Sequence, residues 1–271
     1  MKTAIKINDL TKNYKDVTAV DRLNLEIYEG ELFSLLGING AGKTTTIKML
    51  ATLVKPTSGD AKVFDYSILK DEERIKEIID ISMQETAIAR KLTVEENIEF
   101  YGKLSGLDKL ELNKTKKAIY ETFGFDKIAK KQASKLSGGW QRKLSIALAL
   151  ISKPKILFLD EPTLGLDVIA RSELWKTINE LKEKMTIILT THYMEEAEAL
   201  SDRIGIMKDG KLLFVGTKDE LFSKTSKTTI KLGRYDTWTM TTTTTPPTPP
   251  SPKQEANKNT YDNVVLITDQ Y

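Results

Sequence analysis

Cysteine is absent from the 271-residue sequence, which excludes disulfide bridges and thiolate metal sites. A cysteine-free chain also fits a reducing cytoplasm. No large excess of charge is present either, because 41 Lys and Arg residues stand against 38 Asp and Glu residues. The net charge of +3 is too small to indicate nucleic acid as a partner bound by bulk electrostatics.

Long hydrophobic runs are also missing. The longest apolar stretches, such as residues 146–151 and 156–159, are far shorter than the roughly 20 residues needed to cross a bilayer. No secretory signal segment follows Met1. We therefore expect any role at a membrane to depend on a partner protein, while the hydrophobic content of 40% is that of a globular protein with a substantial core.

Short apolar runs alternate with helical patterns as far as about Phe222, which predicts an α/β fold with a largely parallel sheet. Five runs are predicted to be central strands: residues 31–36, 78–83, 156–160, 186–191 and 203–208. Between residues 85 and 151 the strand signals stop, and helical spacing at 94–104 and 110–123 predicts a helical insertion.

The predicted domain boundaries follow from this pattern. Residues 1–222 form the main domain, with a helical subdomain at about 85–151, and residues 223–271 form a C-terminal extension. Five of the eight prolines lie in residues 246–252, beside the threonine run 241–245, so we predict an extended linker at about 237–253. The apolar run 264–268 is a candidate strand without an assigned place.

A glycine-rich segment follows the first predicted central strand and opens a helical segment. It consists of Gly37, Ile38, Asn39, Gly40, Ala41, Gly42, Lys43 and Thr44, followed by Thr45. It satisfies the phosphate-loop pattern, in which glycines let backbone amides point at phosphate oxygens. We expect Lys43 to bridge the outer phosphates, Thr44 to bind Mg²⁺ and Thr45 to contact phosphate. The alternative is a turn that only joins a strand to a helix.

Two adjacent carboxylates, Asp160 and Glu161, end the strand predicted at 156–160, at the edge where open α/β sheets bind ligands. Side chains alternate along a strand, so we expect Asp160 to face Mg²⁺ and Glu161 to face the attacking water as general base. The same pair also occurs at ordinary strand ends, and the phosphate loop favours the functional interpretation. Asp167 is assigned to nucleotide binding, with a helix N-cap as the alternative.

A second group of small residues opens a later helix, predicted to run to Ile151. The segment reads Leu136, Ser137, Gly138, Gly139, Trp140, Gln141, Arg142 and Lys143. Free amides at such a helix start form another phosphate cradle, for which Ser137, Gly138 and Gly139 are the candidates. Because one nucleotide needs only one cradle, the second indicates a site shared between two copies; without the phosphate loop, a structural helix start would be the simpler interpretation.

With these motifs the sequence resembles the ATP-binding cassette (ABC) family over about residues 5–222. The string at residues 136–147 is most similar to the drug-exporter and antibiotic-resistance branch. The resemblance implies a P-loop NTPase fold with a largely parallel central sheet, an N-terminal antiparallel β subdomain and a helical insertion that carries the signature motif. It also implies Mg²⁺-dependent ATP hydrolysis that powers transport, with export as the direction.

Three further site residues rest on the resemblance. It implies that Tyr14 stacks on adenine, that Gln84 links Mg²⁺ to a transmembrane partner, and that His192 contacts the terminal phosphate and holds the attacking water. Their structural alternatives are a half-buried strand aromatic for Tyr14, a plain loop residue for Gln84 and an incidental histidine for His192.

The resemblance also implies the partners and the location. They are a separate transmembrane permease and a second ATP-binding subunit, in a homodimer or a heterodimer, at the cytoplasmic side of the membrane, with no nucleic acid. In this mechanism ATP joins two chains head to tail and hydrolysis reopens the dimer.

Two residues depart from the family pattern. Trp140 replaces the common glutamine, and Leu164 replaces the serine or threonine of the inter-subunit loop. They are the only support for an ATP-binding protein that has lost hydrolysis. Another alternative is a soluble cassette ATPase that acts on ribosomes or DNA. The single cassette and the lack of sustained heptads argue against it.

Overall fold

The computed structural model describes residues 2–182 and 184–224, and four two-residue strands at Ile230–Lys231, Thr237–Trp238, Thr260–Tyr261 and Val264–Val265. The chain divides into two compact units, Met1–Val215 and Gly216–Tyr271. In the second unit the four short strands form two antiparallel pairs. Most of the predicted linker at 237–253, and residues 266–268 of the candidate final strand, lie outside the described residues.

The strands and helices of residues 2–224 follow the predicted alternation. The strands are β1 (Thr3–Tyr14), β2 (Val17–Tyr28), β3 (Leu32–Leu36), β4 (Ser58–Val63), β5 (Tyr66–Ser67), β6 (Ile79–Ser82), β7 (Ile156–Asp160), β8 (Thr186–Thr191), β9 (Arg203–Lys208) and β10 (Lys211–Gly216). The helices are α1 (Lys43–Leu50), α2 (Glu72–Lys76), α3 (Val94–Leu104), α4 (Lys109–Phe123), α5 (Gly138–Ala149), α6 (Val168–Lys182), α7 (Met194–Leu200) and α8 (Lys218–Lys224).

The central sheet has the strand order β10-β9-β3-β8-β7-β6, and its pairs from β9 to β6 are parallel. The five predicted central strands are therefore confirmed, with small corrections at their ends. The first begins at Leu32 rather than at residue 31, because Glu31 accepts a hydrogen bond from the backbone of Tyr28 in the preceding turn. The second is shorter than 78–83 and spans only Ile79–Ser82.

A second, antiparallel sheet has the order β2-β1-β4-β5 and lies in the N-terminal part of the chain. This is the antiparallel β subdomain that the resemblance implied. The register of β1 against β2 shifts at several points, and Tyr14 pairs with Val17 at the end of the hairpin. The end of this hairpin contributes to the cavity described below.

Apolar side chains cover both faces of the parallel sheet, as expected for strands without polar alternation. All five residues of β3 are buried, and so are all five of β7. Along β7, Ile156 and Phe158 belong to one hydrophobic core, whereas Leu157 and Leu159 belong to the other. The sheet is thus fixed from both sides, which gives the carboxyl ends of its strands a rigid base.

The helical insertion contains α3, α4 and α5. α3 begins with a capping box in which Thr93 and Glu96 satisfy each other's free backbone N–H groups. Two predicted helix ends need correction: the helix predicted at 110–123 starts one residue earlier, at Lys109, and α5 ends at Ala149 rather than at Ile151. Within the described residues, no helix is both long enough and apolar enough to span a membrane.

Candidate functional site

Three neighbouring strands of the parallel sheet end side by side. Leu36 of β3 is opposite Thr191 of β8, and Asp160 of β7 is opposite Thr190. Because parallel strands present their carboxyl ends at one edge, the segments that follow these strands share one location. The predicted phosphate loop, the acidic pair and the segment containing His192 are therefore brought together by sheet order, although they are far apart in sequence.

The loop between β3 and α1 requires glycine at several positions. Gly40 and Gly42 have positive φ angles of 83° and 104°, which residues with a side chain rarely adopt. A Cβ atom at Gly42 would also lie 2.4 Å from the carbonyl oxygen of Ala19, and one at Gly37 would lie 2.4 Å from that of Met207. The loop is held against other backbone on both sides, so its curl is a fixed feature of the fold.

The N-termini of α1 and α5 differ from those of most other helices here. Neither has an acidic residue in its first turn, whereas α2, α3, α4, α7 and α8 carry one or two. Helix α6 also lacks one, but the carboxylate of Asp167 caps its start. Acidic side chains normally offset the positive end of a helix. Leaving both ends uncompensated favours an external anion at each, as predicted for the phosphate loop and the second cradle.

Lys43 is buried, and three acceptors surround its amino group. Its Nζ donates to the carbonyl oxygens of Gly37 at 2.6 Å and Ile38 at 3.1 Å, and it lies 3.1 Å from Oε1 of Glu161. A lysine ammonium has three donors, so all three are engaged within the loop and with Glu161. A phosphate that binds Lys43 must displace at least one of these acceptors.

Asp160 is fully buried at the end of β7, and its two oxygens differ. Oδ1 accepts hydrogen bonds from the hydroxyls of Thr44 at 3.0 Å and Thr190 at 2.5 Å. Oδ2 has no hydrogen-bond partner in the described part of the chain. An unpaired buried carboxylate oxygen beside a threonine hydroxyl fits Mg²⁺, a hard cation that prefers oxygen ligands.

Glu161 follows the strand with a positive φ of 48°, which is unusual for a residue other than glycine. Its backbone N–H bonds to both the hydroxyl and the carbonyl oxygen of Thr190, at 3.0 and 3.1 Å. These contacts hold the backbone of Glu161 in this conformation. Strain of this kind is common at functional sites. The two carboxylates have separate partners, because Asp160 bonds to Thr44 and Thr190 whereas Glu161 contacts Lys43 and His192.

His192 lies directly beyond β8 and contacts Glu161. Its Nδ1 is 2.6 Å from Oε2 of Glu161, so one carboxylate oxygen of Glu161 faces His192 while the other faces Lys43. The structure therefore unites three of the predicted residues in one contact chain, Lys43–Glu161–His192. This chain can hold a carboxylate, a proton carrier and a cation around one reacting phosphate.

A cavity of about 490 Å³ opens over the loop. It is lined by Tyr14, Val17, Thr18, Ala19, Asn39, Gly40, Ala41, Gly42, Lys43, Thr44, Thr45, Gln84, Glu161, Leu164 and Asp209. Tyr14, at the end of β1, and Gln84, which follows β6, thus line the same cavity as the loop. Tyr14 is exposed at 45%, a flat ring at the mouth of the cavity suited to stacking.

The second predicted cradle is not at this cavity. Ser137 and Gly138 are exposed at the start of α5, and Ser137 makes no side-chain hydrogen bond that caps its own helix. Gly138 lines a different cavity, together with Gln84 and Leu164. Gly139 packs so closely on α6 that a Cβ would lie 2.9 Å from the Cβ of Ala170. Within one chain, Ser137 and Gly138 are therefore free to face another molecule, whereas Gly139 packs on α6.

Asp167 has the structural role that was its alternative. Its Oδ1 accepts a hydrogen bond from the backbone N–H of Ala170 at 2.9 Å, which caps the start of α6. It does not line the cavity over the loop. Its assignment to nucleotide binding remains a prediction for a larger assembly.

Sequence reasoning did not identify Thr190, Arg142 or Glu196. Thr190 bonds to both Asp160 and Glu161. The signal that could have revealed it is a hydroxyl residue at the end of a strand predicted to lie in the same sheet. Arg142 donates to the backbone at Gln84. Glu196 is buried in α7, where burial raises the pKa of its carboxyl although the hydroxyls of Thr191 and Thr163 and the indole of Trp175 oppose that rise.

Comparison with known proteins gives consistent matches. Residues 20–164 match the family model described as ABC transporter. The linearmycin resistance ATP-binding protein LnrL of Bacillus subtilis is 40% identical over 227 residues, which are 83% of this chain and 73% of LnrL. The probable multidrug ABC transporter ATP-binding protein YbhF of Escherichia coli is 39% identical over 83% of this chain, which spans only 39% of YbhF.

Solved structures agree with the fold. CbiO1 of Clostridium perfringens, described as part of the ABC transporter complex cbiONQ, superimposes with a TM-score of 0.75 at 28% identity, over 83% of this chain and 95% of CbiO1. The cassette MJ0796, in a dimeric post-hydrolysis state bound to ADP and Pi, superimposes with a TM-score of 0.70 at 27% identity, over 79% of this chain and 98% of MJ0796. The predicted P-loop NTPase fold is thereby confirmed.

Proposed function

The chain belongs to the ABC transporter family and is an ATPase, and we propose that it powers export through a separate transmembrane permease. The observation that carries the ATP-driven part of the proposal is the contact chain of Lys43, Glu161 and His192 beside the phosphate loop. A loop without that chain would support binding alone. With it, the site holds both the groups that grip a triphosphate and a carboxylate beside the bond to be broken.

ATP is bound mainly by backbone and by one cation. The amides of residues 37–45 and the start of α1 receive the phosphates, Lys43 neutralises the outer ones and Tyr14 stacks on the base. Thr44 and Asp160 would hold Mg²⁺, with Gln84 completing the set from the facing loop. When bound, the ion would neutralise charge on the phosphates.

Glu161 is the general base in this proposal. It is close enough to Lys43 and His192 to be oriented by both, with His192 holding the water and the terminal phosphate in line. The displacement of Glu161 from Lys43 by an incoming phosphate would leave a carboxylate oxygen facing the water. Binding of substrate thus prepares the base.

The complete site needs a second ATP-binding subunit. The exposed start of α5 supports this, because Ser137 and Gly138 are exposed and do not line the chain's own loop cavity. The loop of one copy and the cradle of the other would grip one triphosphate, so that ATP closes the dimer and hydrolysis opens it. The structural neighbour MJ0796, which is dimeric in its state bound to ADP and Pi, supports dimerisation.

A permease partner fits the surface of the helical insertion. Phe100 and Leu104 of α3 and Leu110 of α4 are exposed at 51%, 72% and 64%. Exposed apolar side chains grouped on neighbouring helices are typical of an interaction surface. The chain would then lie at the cytoplasmic side of the membrane, held there by the permease. Similarity to LnrL and YbhF supports export as the direction.

The proposal is tested with Glu161→Gln in the full chain. General-base loss lowers hydrolysis by roughly 100-fold or more, whereas ATP binding and ATP-dependent dimerisation persist. Glu198→Gln, which changes an exposed acid on α7, serves as the control and keeps the wild-type rate. A Glu161→Gln chain that dimerises and hydrolyses ATP at the wild-type rate contradicts the assignment of the base.

The shared site is tested by mixing two defective chains. Lys43→Met removes the phosphate contact of the loop, and Ser137→Glu places an acid at the cradle, where it repels phosphate. Neither chain alone should dimerise when ATP is added. Their mixture contains one intact site, so it should form ATP-dependent dimers. Failure of the mixture, with both chains folded, argues against the shared site. Co-purification with a multi-span membrane protein, rather than with ribosomes, tests the partner.

A further inference from the structure

Arg142 connects the helix of the second cradle to the loop that carries Gln84. It lies in α5, buried at 6% exposure, and its guanidinium forks onto two successive backbone carbonyls. Nη1 donates to the oxygen of Met83 at 2.8 Å, and Nη2 donates to that of Gln84 at 2.5 Å. A side chain from the cradle helix therefore fixes the main chain at Gln84 itself.

The same face of α5 also contacts the end of β6, just before the segment that carries Gln84. Ser145, three residues after Arg142, places its hydroxyl 3.2 Å from that of Ser82, the last residue of β6. Residues three apart on a helix lie on one face. One face of α5 therefore contacts three successive residues, Ser82, Met83 and Gln84.

The loop after Gln84 is also attached to the helical insertion. Asn97 of α3 is fully buried and exchanges hydrogen bonds with the backbone of Ala89, accepting from its N–H at 2.8 Å and donating to its oxygen at 3.1 Å. The hydroxyl of Tyr101 donates to the oxygen of Ala87 at 3.0 Å. On both sides of Gln84, then, the backbone is held by the insertion.

The buried charge of Arg142 depends on its hydrogen bonds to the two carbonyl oxygens. Among the described residues, no carboxylate lies within ion-pair distance of it, and Asp160 and Glu196 act on it only from farther away. Burial lowers the pKa of Arg142, but a guanidinium remains charged in proteins. A buried cation that depends on two carbonyls keeps its solvation only while both stay in place. Movement of α5 against the Gln84 loop is therefore opposed.

We propose that Arg142 is a positioning residue that couples the placement of the cradle at Ser137 to the placement of the Gln84 side chain beside the nucleotide. This inference rests on the proposed function, and it adds a link inside one chain between two parts of the shared site. The Arg142 side chain forms its hydrogen bonds with Met83 and Gln84, not with residues of the phosphate loop. Its loss therefore affects turnover and Mg²⁺ use more than ATP binding.

The test compares Arg142→Met with Lys143→Met in the full chain. Lys143 is its neighbour in α5, is similarly buried and pairs with Glu173 at 3.0 Å, so this control removes a buried cation without touching the Gln84 loop. We expect Arg142→Met to lower kcat by about 10- to 100-fold, with ATP affinity within about twofold of wild type. The half-saturating Mg²⁺ concentration should rise only in Arg142→Met. Equal effects of the two substitutions on kcat and on Mg²⁺ dependence overturn the inference.

A second measurement covers the case in which Arg142→Met does not fold. Arg142→Lys keeps the charge but cannot satisfy both carbonyls with one planar fork. If Arg142 acts through Gln84, Arg142→Lys lowers kcat in the wild-type background but has little further effect in a Gln84→Ala background. Additive effects overturn the inference. A wild-type chain without ATPase activity would instead contradict the proposed function, so the two failures are distinct.

Discussion

Lys43 and Glu161 form a buried ion pair, with Nζ of the lysine 3.1 Å from Oε1 of the glutamate. One residue was predicted to bind phosphate and the other to activate water, and the fold places them in direct contact. Each is thereby the counterion of the other. In the proposed function, binding of the phosphate and release of the base are two results of one exchange at Lys43.

This pairing predicts a coupled effect on stability. Lys43→Met leaves the carboxylate of Glu161 buried without its cation, which should lower the free energy of unfolding by about 3–5 kcal/mol. Adding Glu161→Gln to that variant should restore part of the loss, because no unpaired charge remains. Urea unfolding of the two single variants and the double variant measures the coupling. Purely additive losses would show that the pair contributes nothing.

The steric requirement at Gly42 predicts a loss of binding. An alanine there would combine a φ of 104° with a Cβ 2.4 Å from the oxygen of Ala19, so the loop must shift. Losing one charge-assisted amide–phosphate hydrogen bond, worth about 1.5–3 kcal/mol, weakens ATP binding by about 10- to 100-fold. Titration with a fluorescent ATP analogue measures this.

Gly124 provides the matched control for that variant. It has a φ of 71° at the end of α4, and nothing lies within 4 Å of the position of its Cβ. Gly124→Ala should therefore cost about 1–2 kcal/mol of stability through backbone strain alone, with ATP affinity unchanged. If both alanine variants bind ATP equally well, the close packing of the loop is not required.

The double role of Thr190 predicts different results for two substitutions. Its hydroxyl donates to Asp160 and accepts from the backbone N–H of Glu161. Thr190→Val keeps the shape but removes the hydroxyl, so it should cost about 1–3 kcal/mol of stability and reduce hydrolysis. Thr190→Ser keeps the hydroxyl and should retain most of the activity. Steady-state ATPase rates of the two variants measure this difference. A valine variant as active as the serine variant would show that the Thr190 hydroxyl is not needed for hydrolysis.

The buried carboxyl of Glu196 predicts a pH dependence of stability. Its pKa in the folded chain lies above the ordinary value of 4.5, so between these two values the folded state holds a proton that the unfolded state has released. Stability therefore falls as the pH rises through that window. Glu196→Gln cannot titrate, and its stability relative to wild type should increase across the window and then become constant.

Urea unfolding from about pH 4 to about pH 8 measures this difference. Glu198→Gln, at an exposed position of the same helix, is the control and should show no such trend. A stability difference between Glu196→Gln and wild type that does not vary with pH would mean that burial does not perturb this carboxyl.

The fold could largely be predicted from local patterns. Each central strand is a short apolar run because both faces of the parallel sheet are covered, and helix starts such as that of α3 carry their own capping residues. The ends were less predictable. Glu31 belongs to the turn before β3 because its side chain bonds to Tyr28, a contact that apolar periodicity does not reveal.

The sequence by itself determined which chemical groups this protein carries: a glycine-rich loop before Lys43, an acidic pair at a strand end and a second helix start with small residues, since each depends on residues adjacent in the chain. Only the tertiary structure decided which of them meet. The order of β3, β8 and β7 joins Lys43, Glu161 and His192, and the packing of α5 along β6 places Arg142 on the backbone of Gln84. Such contacts join residues far apart in sequence, so they exist only once the sheet and its covering helices have formed.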